Sequence, residues 1–122
     1  MLNDIAAEIH ANAETHGWWE GDRQMPELIA LCHSELSEAL EADRAGDPLT
    51  YYEIPLESGE TQRIIGIDDS GAYKMEGAAT ELIDCVIRIF DMLAHYKVDI
   101  TRVLLAKMRY NRNRPYKHGK RY

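Results

Sequence analysis

No acidic residue follows Asp99, although the 122-residue chain carries 21 of them against 14 Lys and Arg. Up to residue 101 there are 21 acids and 6 basic residues, a balance of −15; residues 102–122 hold 8 basic residues and no acid, a balance of +8, and the two sum to −7. The acidic body argues against wholesale nucleic-acid binding, while the basic end keeps the means to grip phosphates. Two cysteines are too few for a disulfide framework. Cys32 and Cys85 both fall in apolar helical stretches, and reduced core thiols are expected. No apolar run approaches the roughly 20 residues that cross a bilayer. Met1-Leu-Asn-Asp has neither the basic nor the apolar region of a signal peptide, so a cytoplasmic protein without a membrane partner is expected. There is no internal repeat and no low-complexity tract. Hydrophobic content of 45% excludes a disordered chain, and the length predicts one domain over 1–122, small enough for a partner subunit to help complete its core.

Only four prolines interrupt the chain, and three of them fall at predicted helix ends. Asn3 reads as an N-cap, with Ile5, Ile9 and Ala13 at helical spacing up to Gly17. After a Trp18–Asp22 loop, Pro26 opens a second helix that Gly46-Asp47-Pro48 stops, its apolar stripe being Leu28, Leu31, Cys32, Leu36 and Ala39. Tyr51–Leu56 and Gln62–Ile67 are β-prone and flank Glu57-Ser58-Gly59-Glu60-Thr61, with Pro55 weakening the first. A third helix is predicted from about Glu76 to Tyr96, apolar nearly all round and therefore expected to be central and buried. A fourth starts at Asp99 or Thr101, with Ile100, Val103, Leu104 and Met108 inward, and Pro115 ends it. The expected class is all-α, a bundle of about four helices with a β-hairpin or ordered-loop insert at about 47–75.

The polar residues of the third helix, Glu81, Asp84, Arg88, Asp91 and His95, step by three and four and share one stripe. On the second helix, Glu35 lies in line with Leu28, Cys32 and Ala39, and Glu38 follows three residues later. Carboxylates on core-facing stripes are costly unless cations or donors compensate them. Solvent exposure, or pairing with Arg44, Arg88 and Lys97, is the plain alternative. Antiparallel neighbours would gather Glu35, Glu38, Glu81 and Asp84 into an all-oxygen site suited to Mg²⁺ or Mn²⁺ and unsuited to Zn²⁺. A di-iron bundle is excluded, because no Glu has a His three residues later.

Lys107, Asn111 and Arg114, four and three residues apart, share a face of the fourth helix. A cation, an amide and a guanidinium together suit a phosphate chain. Lys117, Lys120 and Arg121 read as a solvated tail. The acidic and basic halves are together what a Mg²⁺–triphosphate requires. Trp18 and Trp19 are either core anchors or a base-stacking platform, and His10 alone reads as a surface or capping residue.

Glu35-Leu-Ser-Glu38 and Glu81-Leu-Ile-Asp84 resemble the paired E-x-x-E and E-x-x-D motifs of the all-α nucleoside triphosphate pyrophosphatases, the MazG-like group. Gly17-Trp18-Trp19, His33–Ala39, Lys74-Met-Glu-Gly77, Asp84–Asp91 and the Lys107–Gly119 stretch add to the likeness, which covers most of the chain outside residues 49–72. The resemblance implies a helical bundle assembled as a homodimer or homotetramer. It also implies Mg²⁺-dependent hydrolysis of a (deoxy)nucleoside triphosphate to the monophosphate and pyrophosphate, in nucleotide-pool control or house-cleaning. Glu35, Glu38, Glu81 and Asp84 would be metal ligands, with Glu38, or alternatively Glu35, orienting or deprotonating the attacking water. Lys107, Asn111 and Arg114 match phosphate-contacting positions. His10 and Trp19 match a His and a Trp that contact the base in deoxycytidine-triphosphate-cleaving relatives. Two departures stand out: the acidic motifs are 42 residues apart, longer than usual, and Ala45 stands where some relatives have an aromatic residue. Two readings from other classes are a nonenzymatic helical oligomerisation module and a nucleic-acid-binding protein using residues 102–122.

Overall fold

The computed structural model describes residues 1–121; Tyr122 and the side chain of His118 lie outside the described residues. Four helices and one hairpin follow in the order α1 (Leu2–Thr15), α2 (Met25–Arg44), β1 (Tyr51–Pro55), β2 (Thr61–Ile65), α3 (Ala78–His95) and α4 (Ile100–Arg112), with a 3-10 turn at Tyr116–Gly119. The fold is mostly helical, and the 47–75 segment contains a β-hairpin. No helix among the described residues is long and apolar enough to cross a membrane. The chain divides into two compact units. One holds Met1–Gly21 and the residues from Phe90 onward, the other Asp22–Ile89, so α3 passes from the second to the first after Ile89.

In the unit of Asp22–Ile89, α2 begins at Met25 with Pro26 in its first turn, where the missing N–H costs no helical hydrogen bond. Its inward stripe is Leu28, Cys32, Glu35 and Ala39, all buried. Leu36, expected on that stripe, is exposed instead, about 100° round the helix from Glu35. Cys85 of α3 lies against Cys32, its Sγ 3.7 Å from the Cys32 carbonyl oxygen, and both thiols are free.

The hairpin pairs antiparallel from Tyr51 with Ile65 to Pro55 with Thr61. Pro55, with no N–H to give, stands at the last pair of β1. The other end of the hairpin is tied to the start of α3. Tyr51 and Glu76 exchange two backbone hydrogen bonds of 3.0 and 2.8 Å, and Ala79 N–H donates to Leu49 C=O at 3.1 Å. Glu76 is thus in a bridge and not in the helix, which begins at Ala78, two residues later than the hydrophobic pattern predicts.

The other unit holds α1, α4 and the last residues of α3, with Ala6, Met92 and Ile100 buried. Asn3 is not the N-cap of its own helix, which starts at Leu2 after Met1. It serves α4 instead: its Oδ1 accepts the Ile100 N–H at 2.8 Å, and its Nδ2 donates to Asp99 Oδ1 at 3.0 Å. Asp99, the N-cap of α4, accepts the Arg102 N–H. These bonds, the Asn3 amide first, hold the Asp99 carboxyl below the usual range.

Two burial expectations are corrected. Of the α4 residues expected inward, Ile100 is buried, while Val103, Leu104 and Met108 are exposed. The third helix is not buried all round: Leu82, Ile83, Val86, Ile87 and Ile89 are exposed, Ile83 by 55%. The reason is geometric. Within its unit α3 turns its Glu81–Cys85–Arg88 side to α2, and a helix one neighbour deep leaves its opposite face bare.

Candidate functional site

Helices α2 and α3 run antiparallel where they meet, since Cys32 lies against Cys85 while Glu38, further along α2, meets Glu81, earlier on α3. Glu35, Glu38 and Glu81 each offer a carboxylate oxygen, and the three oxygens lie within 4.8 Å of one another. The convergence expected from the two motifs is therefore present for three of the four acids. Asp84 stands outside that set but within its field: burial, and next the charge of Glu35, raise its pKa, while Arg88 and Lys74 pull it the other way.

The environments of the acids differ. Glu35, 8% exposed, is the one buried charged residue among the described residues. Arg88 compensates it, Nε donating to Oε1 at 2.7 Å. Glu38 is exposed and Glu81 intermediate. The Glu81 carboxyl is pushed up to about 7, by burial first and then by a hydrogen bond and charge repulsion from Glu38. Crowded like charges resist ionising together. All the donors are hard carboxylate oxygens with no His or Cys among them, which fits Mg²⁺ or Mn²⁺.

Glycine at 77 fixes where α3, and hence Glu81, begins. Its φ is +107°, and a Cβ there would lie 2.3 Å from the Leu49 carbonyl oxygen, so the backbone of the 47–49 turn can approach only glycine. Glu81 N–H closes the first turn on Gly77 C=O at 3.1 Å. The insert thus anchors the helix end that carries the second acidic motif.

In the unit of α1 and α4, His10 and Trp19 come together on one acceptor. His10 Nδ1 lies 2.7 Å from Asp91 Oδ1, and Trp19 Nε1 donates to the same oxygen at 2.9 Å. His10 Nε2 faces Glu14 at 3.2 Å. Trp19 stacks on His95, centroids 3.9 Å apart and planes 12° from parallel, and His10 meets both rings edge-on. Asp91 and His95 belong to the polar stripe legible in the sequence. Their role as the hub and floor of the His10–Trp19 group was not, because 81 and 72 residues separate Asp91 from its two partners.

Lys107 and Asn111 are on α4, exposed; Arg114 lies two residues beyond its last residue, Arg112. It is therefore not on the helix as expected. Asn113 caps α4, and the Arg114 N–H continues one turn further onto Asn111 C=O. Lys107 Nζ and the Arg114 guanidinium both stand over the Tyr110 ring, 5.4 and 5.6 Å from its centroid, which keeps two of the three residues around one exposed aromatic. These residues and the carboxylates belong to different units.

No family model, curated protein or solved structure matches this chain.

Proposed function

We propose that the chain is a Mg²⁺-dependent nucleoside triphosphate pyrophosphohydrolase, similar in kind to the MazG-like all-α enzymes and acting in nucleotide-pool control. The observation that carries this reading is the meeting of the Glu35, Glu38 and Glu81 oxygens within 4.8 Å, from two helices. Carboxylates this close are stable together when partly protonated or when gathered round a cation. Glu35, Glu38, Glu81 and Asp84 would hold Mg²⁺ or Mn²⁺. When bound, the ion supplies Lewis acidity and charge neutralisation at phosphoryl oxygens.

The chain's own residues do the rest. Glu38, exposed beside the buried Glu35, orients the attacking water or takes its proton, with Glu35 as the alternative. Water adds to the α-phosphorus, the bond from that phosphorus to the bridging oxygen breaks, and pyrophosphate leaves. By the resemblance, Lys107, Asn111 and Arg114 would be phosphate contacts and His10 and Trp19 base contacts, the latter two held together by Asp91. The bare apolar face of α3 supports a homodimer or homotetramer.

The test is a panel of common and damaged NTPs and dNTPs, with Mg²⁺ or with a chelator, read for monophosphate and pyrophosphate. Stoichiometric release of both from at least one nucleotide, abolished by chelation, is expected. Orthophosphate as the product, or no release from any nucleotide, would remove the reading.

A further inference from the structure

Arg88 holds the buried Glu35 through a single point, Nε to Oε1 at 2.7 Å. A guanidinium has five N–H donors in a rigid fork, and an arginine serving only to neutralise a carboxylate commonly grips both oxygens. Here neither Nη group makes a hydrogen bond among the described residues, the charge of the guanidinium is felt by Asp84 one turn back, and the side chain is 39% exposed. Arg63 shows the contrast. Its guanidinium lies between two carboxylates, 3.3 Å from Asp47 and 3.8 Å from Glu53, and 4.0 Å over the Tyr51 ring, so two acids and an aromatic face share it.

Arg88 lies one helical turn after Asp84 on the stripe that carries Glu81. A phosphate chain approaching four carboxylates meets repulsion, and a fixed cation at their edge offsets it. We infer that Arg88 is a substrate-contacting residue of the acidic site, its open Nη edge taking a phosphate oxygen while Nε stays on Glu35. The inference rests on the nucleotide-hydrolysis reading above. It assigns the phosphoryl group nearest the carboxylates to Arg88, a different task from that of Lys107, Asn111 and Arg114. Negative charge grows on the equatorial oxygens of a phosphoryl group under attack, so a donor already held in place acts most strongly in the transition state.

The experiment uses the full chain with Arg88→Gln and Arg88→Lys, folding being checked by circular dichroism. Three quantities are measured: Mn²⁺ affinity without nucleotide, affinity for inorganic triphosphate in the presence of Mn²⁺, and turnover of the best wild-type substrate at saturating metal. For Arg88→Gln the expected result is Mn²⁺ affinity equal to wild type or tighter, triphosphate affinity lower by about 10-fold, and turnover lower by about 100-fold. Arg88→Lys recovers triphosphate binding but not turnover, because it returns the charge without the fork. If Arg88→Gln matches wild type in triphosphate affinity and turnover, Arg88 only holds Glu35 and the inference fails. If Arg88→Gln does not fold, Arg88→Lys decides: reduced turnover supports the contact and wild-type turnover overturns it. A wild-type protein that releases no pyrophosphate from any nucleotide overturns the reading itself, and this assignment with it.

Discussion

Glu38 and Glu81 bring carboxyl oxygens within 4.8 Å of each other across the antiparallel α2–α3 pair, a closeness that favours holding a proton on Glu81. The folded chain therefore binds that proton more tightly than the unfolded chain. With the Glu81 pKa raised from 4.5 to about 7, its contribution to stability is full below pH 4.5 and is lost as pH rises through about 7. Asp84, also raised, acts in the same direction. Calorimetry in a chelating buffer should give a higher melting temperature at pH 5 than at pH 7.5. Mg²⁺ or Mn²⁺ should restore the loss at pH 7.5, since a ligand of the folded state stabilises it. Glu81→Gln should flatten the profile and stop the rescue. A wild-type profile that metal leaves unchanged would count against the cluster as a cation site.

Glu38 is the exposed member of the triad, so changing it should leave folding intact. Glu38→Gln removes a metal ligand and the proposed base while keeping size and shape. Pyrophosphate release should fall by at least roughly 100-fold, with the melting temperature at pH 7.5 in chelator unchanged or slightly higher because one repelling charge is gone. Steady-state kinetics and calorimetry on one preparation check both halves. Retained turnover would remove Glu38 from the chemistry.

What the sequence disclosed and what it hid divide along a physical line. Local signals were legible: Pro26 opening α2, Asp99 capping α4 and Gly59 at the hairpin turn stand where their backbone preferences put them. The meeting of Glu35, Glu38 and Glu81 was legible as well, because two stripes with acids at the same spacing have few ways to pair. Periodicity says that a helix face wants cover but not what covers it, so the apolar majority of α3 pointed inward on paper and lies exposed in the single chain. Asn3 misled for a related reason. Its side chain has the chemistry of a cap, but nothing local reveals that the N–H it satisfies, that of Ile100 at the start of α4, lies 97 residues away.

Asp91 organises its unit's aromatic group by accepting from Trp19 and contacting His10 through one oxygen. Asp91→Ala removes that shared acceptor and should cost about 2 kcal/mol. Asp91→Asn keeps an oxygen for the indole N–H and should cost less. Urea denaturation followed by tryptophan fluorescence measures both, and an altered native spectrum is expected as the Trp19–His95 stack loosens. If His10 and Trp19 contact the base, Asp91→Ala should also raise KM more than it lowers kcat, and should narrow the difference between good and poor nucleotides. Unchanged selectivity would make the group purely structural.

The insert and the acidic site are coupled through one position. Gly77→Ala places a Cβ against the Leu49 carbonyl oxygen at 2.3 Å and forces a left-handed φ of +107° on a residue that resists it. The backbone on both sides is pinned, at Tyr51–Glu76 and at Ala79–Leu49, so relief requires moving the hairpin or the first turn of α3. A stability loss on the order of 2–4 kcal/mol is expected by urea denaturation. If the chain yields at α3, Glu81 moves with it, and Mn²⁺ affinity should fall even at temperatures where the variant is fully folded. If it yields at the hairpin, stability falls alone. Measuring Mn²⁺ affinity below the melting transition separates the two. The first outcome is expected, because Glu81 bonds directly to the Gly77 carbonyl and has no slack between it and the strained residue.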